Sequence, residues 1–201
     1  LAGNGRALLA DDMGLGKTVQ ALAFIQRQKE KRATGGRPVL VVAPTSVLFN
    51  WREEAKRFTP NLKVVSYQGM NRKETYNAEL NPQPDIVVTS YPVLRIDAEI
   101  LGGINWHAVI LDESQHIKNA ESQTAHAAFR LKAKHRFVMT GTPLENRLDD
   151  LWSQYNFVMP GFLGRRKSFL QNYSVRPGSI TLDAETLKAR LGSLRERILP
   201  F

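Results

Sequence analysis

Cysteine is absent from the 201 residues, which removes disulfide staples and cysteine-held zinc as ways of stabilising this chain. It fits a reducing interior, so the cytoplasm is the expected location. Stability must then come from a packed core, and this length suffices for one α/β domain but is short for two. No run approaches the roughly 18 apolar residues of a membrane span, so no membrane partner is expected. Acidic residues are comparatively few: 19 Asp and Glu face 28 Lys and Arg, giving a formal charge of +9. A field of that sign attracts polyanions such as phosphate backbones. Aromatic residues make up only 8%, and Trp51, Trp106 and Trp152 are expected in the core rather than as stacking platforms. The four histidines lack metal-ligand spacing. Neither an initiator Met nor a leader stands at Leu1, so the chain is expected to be a piece of a longer polypeptide.

What is present begins near the start. Ala7 to Ala10 reads as an apolar strand that runs into Asp11-Asp12-Met13-Gly14-Leu15-Gly16-Lys17-Thr18, and a helix follows over Val19 to Gln28. Strand, glycine-bearing turn and helix in that order form a phosphate cradle, in which backbone N–H groups and the positive helix end face an anion. Gly14 and Gly16 allow the tight approach. Lys17, read as an exposed loop lysine, would reach the β- and γ-phosphates, and Thr18 would ligate magnesium. Asp11 replaces the first glycine of the G-x-x-x-x-G-K-[ST] pattern.

Alternation then organises the chain. A helical pattern over Thr18 to Arg32 is expected to stop at Gly35-Gly36, and its basic end is expected to be a solvated face. Pro38 to Ala43 is an unbroken apolar run, as expected of a strand buried on both faces of a parallel sheet. Thr45 or Ser46 can cap the next helix, through Trp51 to Phe58, ahead of a strand over Leu62 to Tyr67. Three further strands are expected over Asp85 to Tyr91, Ala108 to Glu113 and Arg136 to Thr140, separated by helical stretches. The prediction is an α/β fold with a doubly wound parallel sheet of RecA-like P-loop type, occupying residues 1–160. Residues 161–201, with helical character over Ala184 to Ile198, form a helical C-terminal extension. Ligands of such sheets lie beyond the carboxyl ends of the strands, where the polar strand exits collect.

Asp112-Glu113 closes one of these strands. An acid that holds magnesium, a neighbour that orients water, and the upstream Lys17 make the minimum set for hydrolysing a nucleoside triphosphate. Thr140-Gly141-Thr142-Pro143 lies on the next strand exit. With these residues the chain resembles the Swi/Snf-type double-stranded DNA translocases, ATPase motors of helicase superfamily II related to chromatin remodellers. Motif I resembles Asp11 to Thr18, where Asp11 is the family's usual residue. Motif Ia resembles Ala43 to Trp51, motif Ic Thr89-Ser90-Tyr91, and motif III Thr140 to Asn146. Motif II is Asp112-Glu113-Ser114-Gln115 followed by Ile117-Lys118-Asn119, similar to microbial members.

The resemblance implies the first RecA-like lobe of an ATP- and Mg2+-dependent motor on double-stranded DNA, with a second lobe and other proteins as partners. The nucleotide would be bound by Asp12, Met13, Gly14, Leu15, Gly16, Lys17 and Thr18. Lys17, Asp112, Glu113 and Gln115 would serve catalysis, Thr18 and Asp112 the metal. Thr45, Ser46, Asn50, Thr89 and Lys118 would hold phosphates of one DNA strand, though helix capping competes for Thr45 and Ser46. Thr140, Gly141 and Thr142, with Gln115, would couple the two sites. The partner lobe would supply arginines to the transferring phosphoryl group, so the isolated chain is expected to bind ATP and scarcely hydrolyse it. A superfamily II RNA helicase or other P-loop NTPase lobe, and a nucleotide-gated DNA-binding module that never turns over, stay open as alternatives.

Overall fold

The computed structural model describes residues 5–10, 14–78, 83–141, 148–173 and 184–198; Asp11, Asp12, Met13, residues 142–147 and the terminal 199–201 lie outside them. The apolar runs become β1 (Arg6–Leu9), β2 (Val39–Ala43), β3 (Val64–Ser66), β4 (Ile86–Ser90), β5 (Asn105–Leu111) and β6 (Lys132–Met139). They lie side by side in the order β1-β6-β5-β2-β4-β3, and every neighbouring pair is parallel. Alternate residues of a strand point to opposite faces. Val39, Val41, Val88 and Ile110 pack on one face, against α1 (Lys17–Glu30) and α2 (Leu48–Phe58) through Leu22, Ile25, Trp51 and Ala55. Leu40, Val42, Val87 and Val109 pack on the other. That second face is covered by α4 (Tyr91–Ile96), α5 (Ala98–Gly103), α6 (Gln123–Arg130) and α7 (Leu148–Val158), with α3 (Arg72–Ala78) at its edge. Both faces being covered is why β2 and β4 read as unbroken apolar runs. The expected doubly wound parallel sheet is the observed one.

The helical extension is also present. α8 (Arg166–Tyr173) and α9 (Ala184–Ile198) pack on α7 through Leu151, Tyr155, Phe169 and Leu194. Arg166, part of the basic run after Pro160, donates Nε and Nη2 to Asp149 at 2.6 and 2.7 Å and also pairs with Glu121.

Local chemistry moved several boundaries. α1 ends at Glu30, short of the two glycines, because Arg32 turns left-handed (φ 52°) and the Ala33 N–H reaches back to the Gln28 carbonyl at 3.0 Å. That closes the helix with a C-capping turn. Part of its basic end is tied down: Lys29 Nζ donates to Asp85 Oδ2 at 2.7 Å and to the Asn61 carbonyl at 2.8 Å. Neither Thr45 nor Ser46 caps α2. Residues 45–47 form a 3₁₀ turn instead, in which the Val47 N–H donates to the Pro44 carbonyl at 3.0 Å. Tyr91 belongs to a helix, not a strand, since Ser90 caps α4 by accepting the Val93 N–H. β5 and β6 start earlier than expected, at Asn105 and Lys132, where they pair with each other.

His107, fully buried on β5, shows how little water reaches the sheet's lower edge. Neither of its ring nitrogens has a hydrogen-bond partner, and its ring meets His135 edge-on at 5.0 Å. Burial, then the positive charges of His135, Lys134 and Arg37, push its pKa down from 6.5 to about 4. A base with a depressed folded-state pKa binds fewer protons folded than unfolded, so stability is full above pH 6.5 and declines as pH falls towards 4. The shift is equivalent to about 3 kcal/mol at 1.36 kcal/mol per unit. Denaturant titrations between pH 7 and 4.5 should show that decline, and His107→Leu should flatten it; an equal slope in both proteins would place the acid sensitivity elsewhere.

Candidate nucleotide site

The cradle is built by backbone geometry that side chains resist. Gly14 (φ 85°) and Gly16 (φ 74°) both sit in the left-handed region, where an L side chain is strained. Gly16 is the N-cap of α1 and brings no side chain to the helix end, and the first turn holds no acidic residue. The leading N–H groups of a 14-residue helix are therefore left to an anion from outside. Lys17 is the first residue of that helix and is only 8% exposed, not the exposed loop lysine the sequence suggested. Its charge acts on Asp112 across the cavity.

Asp112 sits just past the end of β5, its N–H still in the ladder with the Val42 carbonyl at 2.8 Å. Its carboxylate is buried and doubly held: Oδ2 accepts from Trp51 Nε1 at 2.9 Å, and Oδ1 from the Glu113 N–H at 3.0 Å. Burial raises its pKa and the Glu113 charge adds to this, while the Trp51 donor, the Glu113 N–H and the Lys17 charge oppose the rise. Glu113 takes a left-handed backbone (φ 48°, ψ 57°), a conformation costing a non-glycine residue about 1–3 kcal/mol. Tyr91 helps enforce it by donating its hydroxyl to the Asp112 carbonyl at 2.7 Å, with its ring stacked on His116. Beyond it, Gln115 Nε2 donates to Glu113 Oε2 at 3.0 Å, and Thr140 Oγ1 reaches Gln115 Oε1 at 3.5 Å.

Gly14, Gly16, Lys17, Thr18, Asp112 and Glu113 line one cavity of about 390 Å³. This is the size of a small-molecule pocket. Among the described residues no group of three or more His, Cys, Asp or Glu converges to hold a metal by itself. A divalent cation here would rest on Thr18, Asp112 and oxygens of a bound phosphate, the sparse protein donor set that suits magnesium.

The structure sorts the other expected residues. Leu15 stands 61% exposed beside the cradle. Asp12, Met13 and Thr142 lie outside the described residues, and Gly141 is the last described residue before that gap. Thr45, Ser46 and Lys118 are exposed, beyond the carboxyl ends of β2 and β5. Asn50 lines the nucleotide cavity rather than a separate phosphate-binding face. Thr89 must be withdrawn from the DNA set: it is fully buried on β4 and its hydroxyl donates to the Tyr67 carbonyl at 2.8 Å, leaving no surface for a phosphate. Trp51 and Trp106 are buried as expected, and Trp152 is half-buried. Sequence reasoning missed Trp51 and Tyr91 as parts of the site. A buried indole or phenol must find a partner, and that rule was the available signal.

A family model described as "SNF2-related domain" matches residues 3–199. The chain is 39% identical, over 97% of its length, to "Putative ATP-dependent helicase/translocase YwqA" of Bacillus subtilis, of which it spans 21%. It is 36% identical, over 96% of its length, to "TATA-binding protein-associated factor MOT1" of Saccharomyces cerevisiae, spanning 11% of that protein. Among solved structures, "Sulfolobus solfataricus SWI2/SNF2 ATPase core in complex with dsDNA" superposes with a TM-score of 0.83 at 36% identity, covering 98% of this chain and 39% of that one.

The Trp51–Asp112 contact generates a test. Trp51→Phe removes the donor that favours the charged carboxylate, so the Asp112 pKa should rise further and cation-dependent nucleotide binding should fail at a higher pH on acidification. The lost bond to a buried acceptor should also cost about 1–3 kcal/mol of stability. Calorimetric titration of Mg-ATP from pH 8 to 5 reads the first effect; an acid limb that does not move would disconnect Trp51 from the carboxylate's charge.

Proposed function

The chain belongs to the SNF2-related domain family, and from that premise we propose that it is the first, ATP-binding RecA-like lobe of a motor that moves along double-stranded DNA. The observation that carries the reading is the convergence of an uncapped helix end, Lys17, Thr18 and the buried Asp112–Glu113 pair on one cavity. Lys17 and the α1 N–H groups bind the β- and γ-phosphates. Thr18 and Asp112 hold Mg2+, which when bound bridges the phosphates and neutralises their charge. Glu113, fixed by its left-handed backbone and by Gln115, orients the attacking water and accepts its proton. Gln115 and Thr140 connect that group to β6, so nucleotide state is passed to the neighbouring strand exits.

Thr45, Ser46 and Lys118 serve the DNA backbone, together with the charge of +9. Such contacts position a duplex without reading its bases. A second RecA-like lobe in the intact protein closes over the nucleotide from the opposite side. Duplex DNA is favoured over RNA because the solved core bearing this fold is bound to dsDNA.

ATP hydrolysis by the full-length polypeptide that carries these residues tests the proposal, with duplex DNA, single-stranded DNA and RNA as separate additions. Duplex DNA should stimulate most. Glu113→Gln should keep ATP binding and lower turnover by at least about 10²-fold, the ordinary worth of a positioned base. Stimulation by RNA alone, or undiminished turnover in the glutamine variant, would overturn the assignment. For the 201-residue chain itself, duplex binding should be weak and indifferent to sequence, and log affinity should fall linearly with log salt concentration. Fluorescence anisotropy at several salt concentrations measures this, and a flat salt profile would contradict backbone recognition.

A further inference from the structure

The cavity does not end at the phosphate cradle. Its far wall is α2, which contributes Asn50, Glu54, Arg57 and Phe58. These positions follow the i, i+4, i+7, i+8 spacing of a single helical stripe. From Asn50 to Phe58 the stripe runs about 12 Å along the helix at 1.5 Å per residue. It starts beside the cradle and leads away from it, where whatever is attached to the phosphates must go.

The chemistry of the stripe is unusual for a solvated helix face. Phe58 is 46% exposed, although the other aromatic residue pointing from α2 into this region, Trp51, is buried. The Arg57 guanidinium lies over the Phe58 ring, 5.0 Å from its centroid. Together they make a flat cationic and aromatic plate. Neither Arg57 nor Glu54 has an ion-pair partner among the described residues, whereas the adjacent Lys56 and Glu53 pair with each other at 2.7 Å. A second, shallower hollow between α1 and α2 shares Val19 and Phe58 with the cavity, so the ring has open space on that side as well. Aromatic rings and guanidinium planes stack on nucleobases, and a carboxylate or amide nearby can bond sugar hydroxyls or ring-edge N–H groups.

We infer that the α2 stripe Asn50–Glu54–Arg57–Phe58 is the nucleoside half of the site: the Arg57–Phe58 plate carries a purine base and Glu54 and Asn50 hold the ribose. The inference rests on reading the Lys17 cradle as the triphosphate site, and it adds the element that distinguishes a nucleotide from a bare polyphosphate. α2 is a rigid element packed on the sheet by Trp51 and Ala55. Its stripe therefore keeps a fixed spacing from the cradle.

Calorimetric titration of the 201-residue protein with Mg-ATP and, separately, with Mg-tripolyphosphate tests this. Stacking on one base is commonly worth about tenfold to a hundredfold in affinity. The wild type should prefer ATP over tripolyphosphate by about that factor, and ATP over CTP by less. Arg57→Ala and Phe58→Leu should each bring ATP affinity down about tenfold towards the tripolyphosphate value while leaving tripolyphosphate binding within twofold. Arg57 is exposed and Ala is a good helix former, so this variant keeps the fold and its tripolyphosphate binding proves it. Equal affinity of the wild type for ATP and tripolyphosphate, or unchanged ATP affinity in Arg57→Ala, would overturn the inference while the cradle stands. If neither ligand binds the wild type, or Lys17→Ala binds both undiminished, the cradle reading falls and the inference falls with it.

Discussion

A single buried carboxylate sets the terms for this lobe. Asp112 lies at the end of a strand covered on both sides, where an ionised acid is costly unless donors surround it. The Trp51 indole and the Glu113 amide are those donors. Because Trp51 comes from α2 and Asp112 from β5, the bond also fixes how the helix beside the cavity sits relative to the sheet. The phosphate end, the acid pair and the α2 wall thus share one reference point. Moving any of them means giving up a hydrogen bond to a group that has little water to replace it.

Much of the architecture was legible because burial writes itself plainly into some segments. β2 and β4 are covered on both faces, so their residues are nearly all Val, Leu, Ile and Ala, and no periodicity was needed to identify them. The lower ends of β5 and β6 were harder to see. Asn105, Lys132 and Lys134 alternate with buried neighbours at the sheet's edge, and polar residues there look like loop until the partner strand is known. Thr45 and Ser46 illustrate the opposite error. Their side chains are good caps, but Pro44 had already turned the chain into a 3₁₀ segment that shifts the helix start to Leu48.

The site divides in the same way. Gly14, Gly16, Lys17, Thr18, Asp112 and Glu113 are local signals: the glycines are required by backbone angles, and the acids by their place at a strand exit. Trp51 and Tyr91 work through partners 61 and 21 residues away, and nothing in their own neighbourhoods announces that. Thr89 failed as a phosphate ligand for a related reason. A threonine next to a strand exit looks the same in sequence whether its hydroxyl faces solvent or, as here, bonds the carbonyl of the adjacent strand.

The Tyr91–Asp112 bond has a mechanical side. Tyr91 opens α4 at the exit of β4, and its hydroxyl grips a backbone carbonyl rather than a side chain. A side chain at the receiving end could rotate and absorb motion; a peptide group in a ladder has no such slack. The phenol has only two torsions, and its ring is wedged against His116. A displacement of the β4–α4 junction is therefore delivered as rotation of the peptide plane that carries Glu113. The linkage is stiff and works equally in both directions: it gears the exit of one strand to the water-orienting group of another without any loop having to fold or unfold.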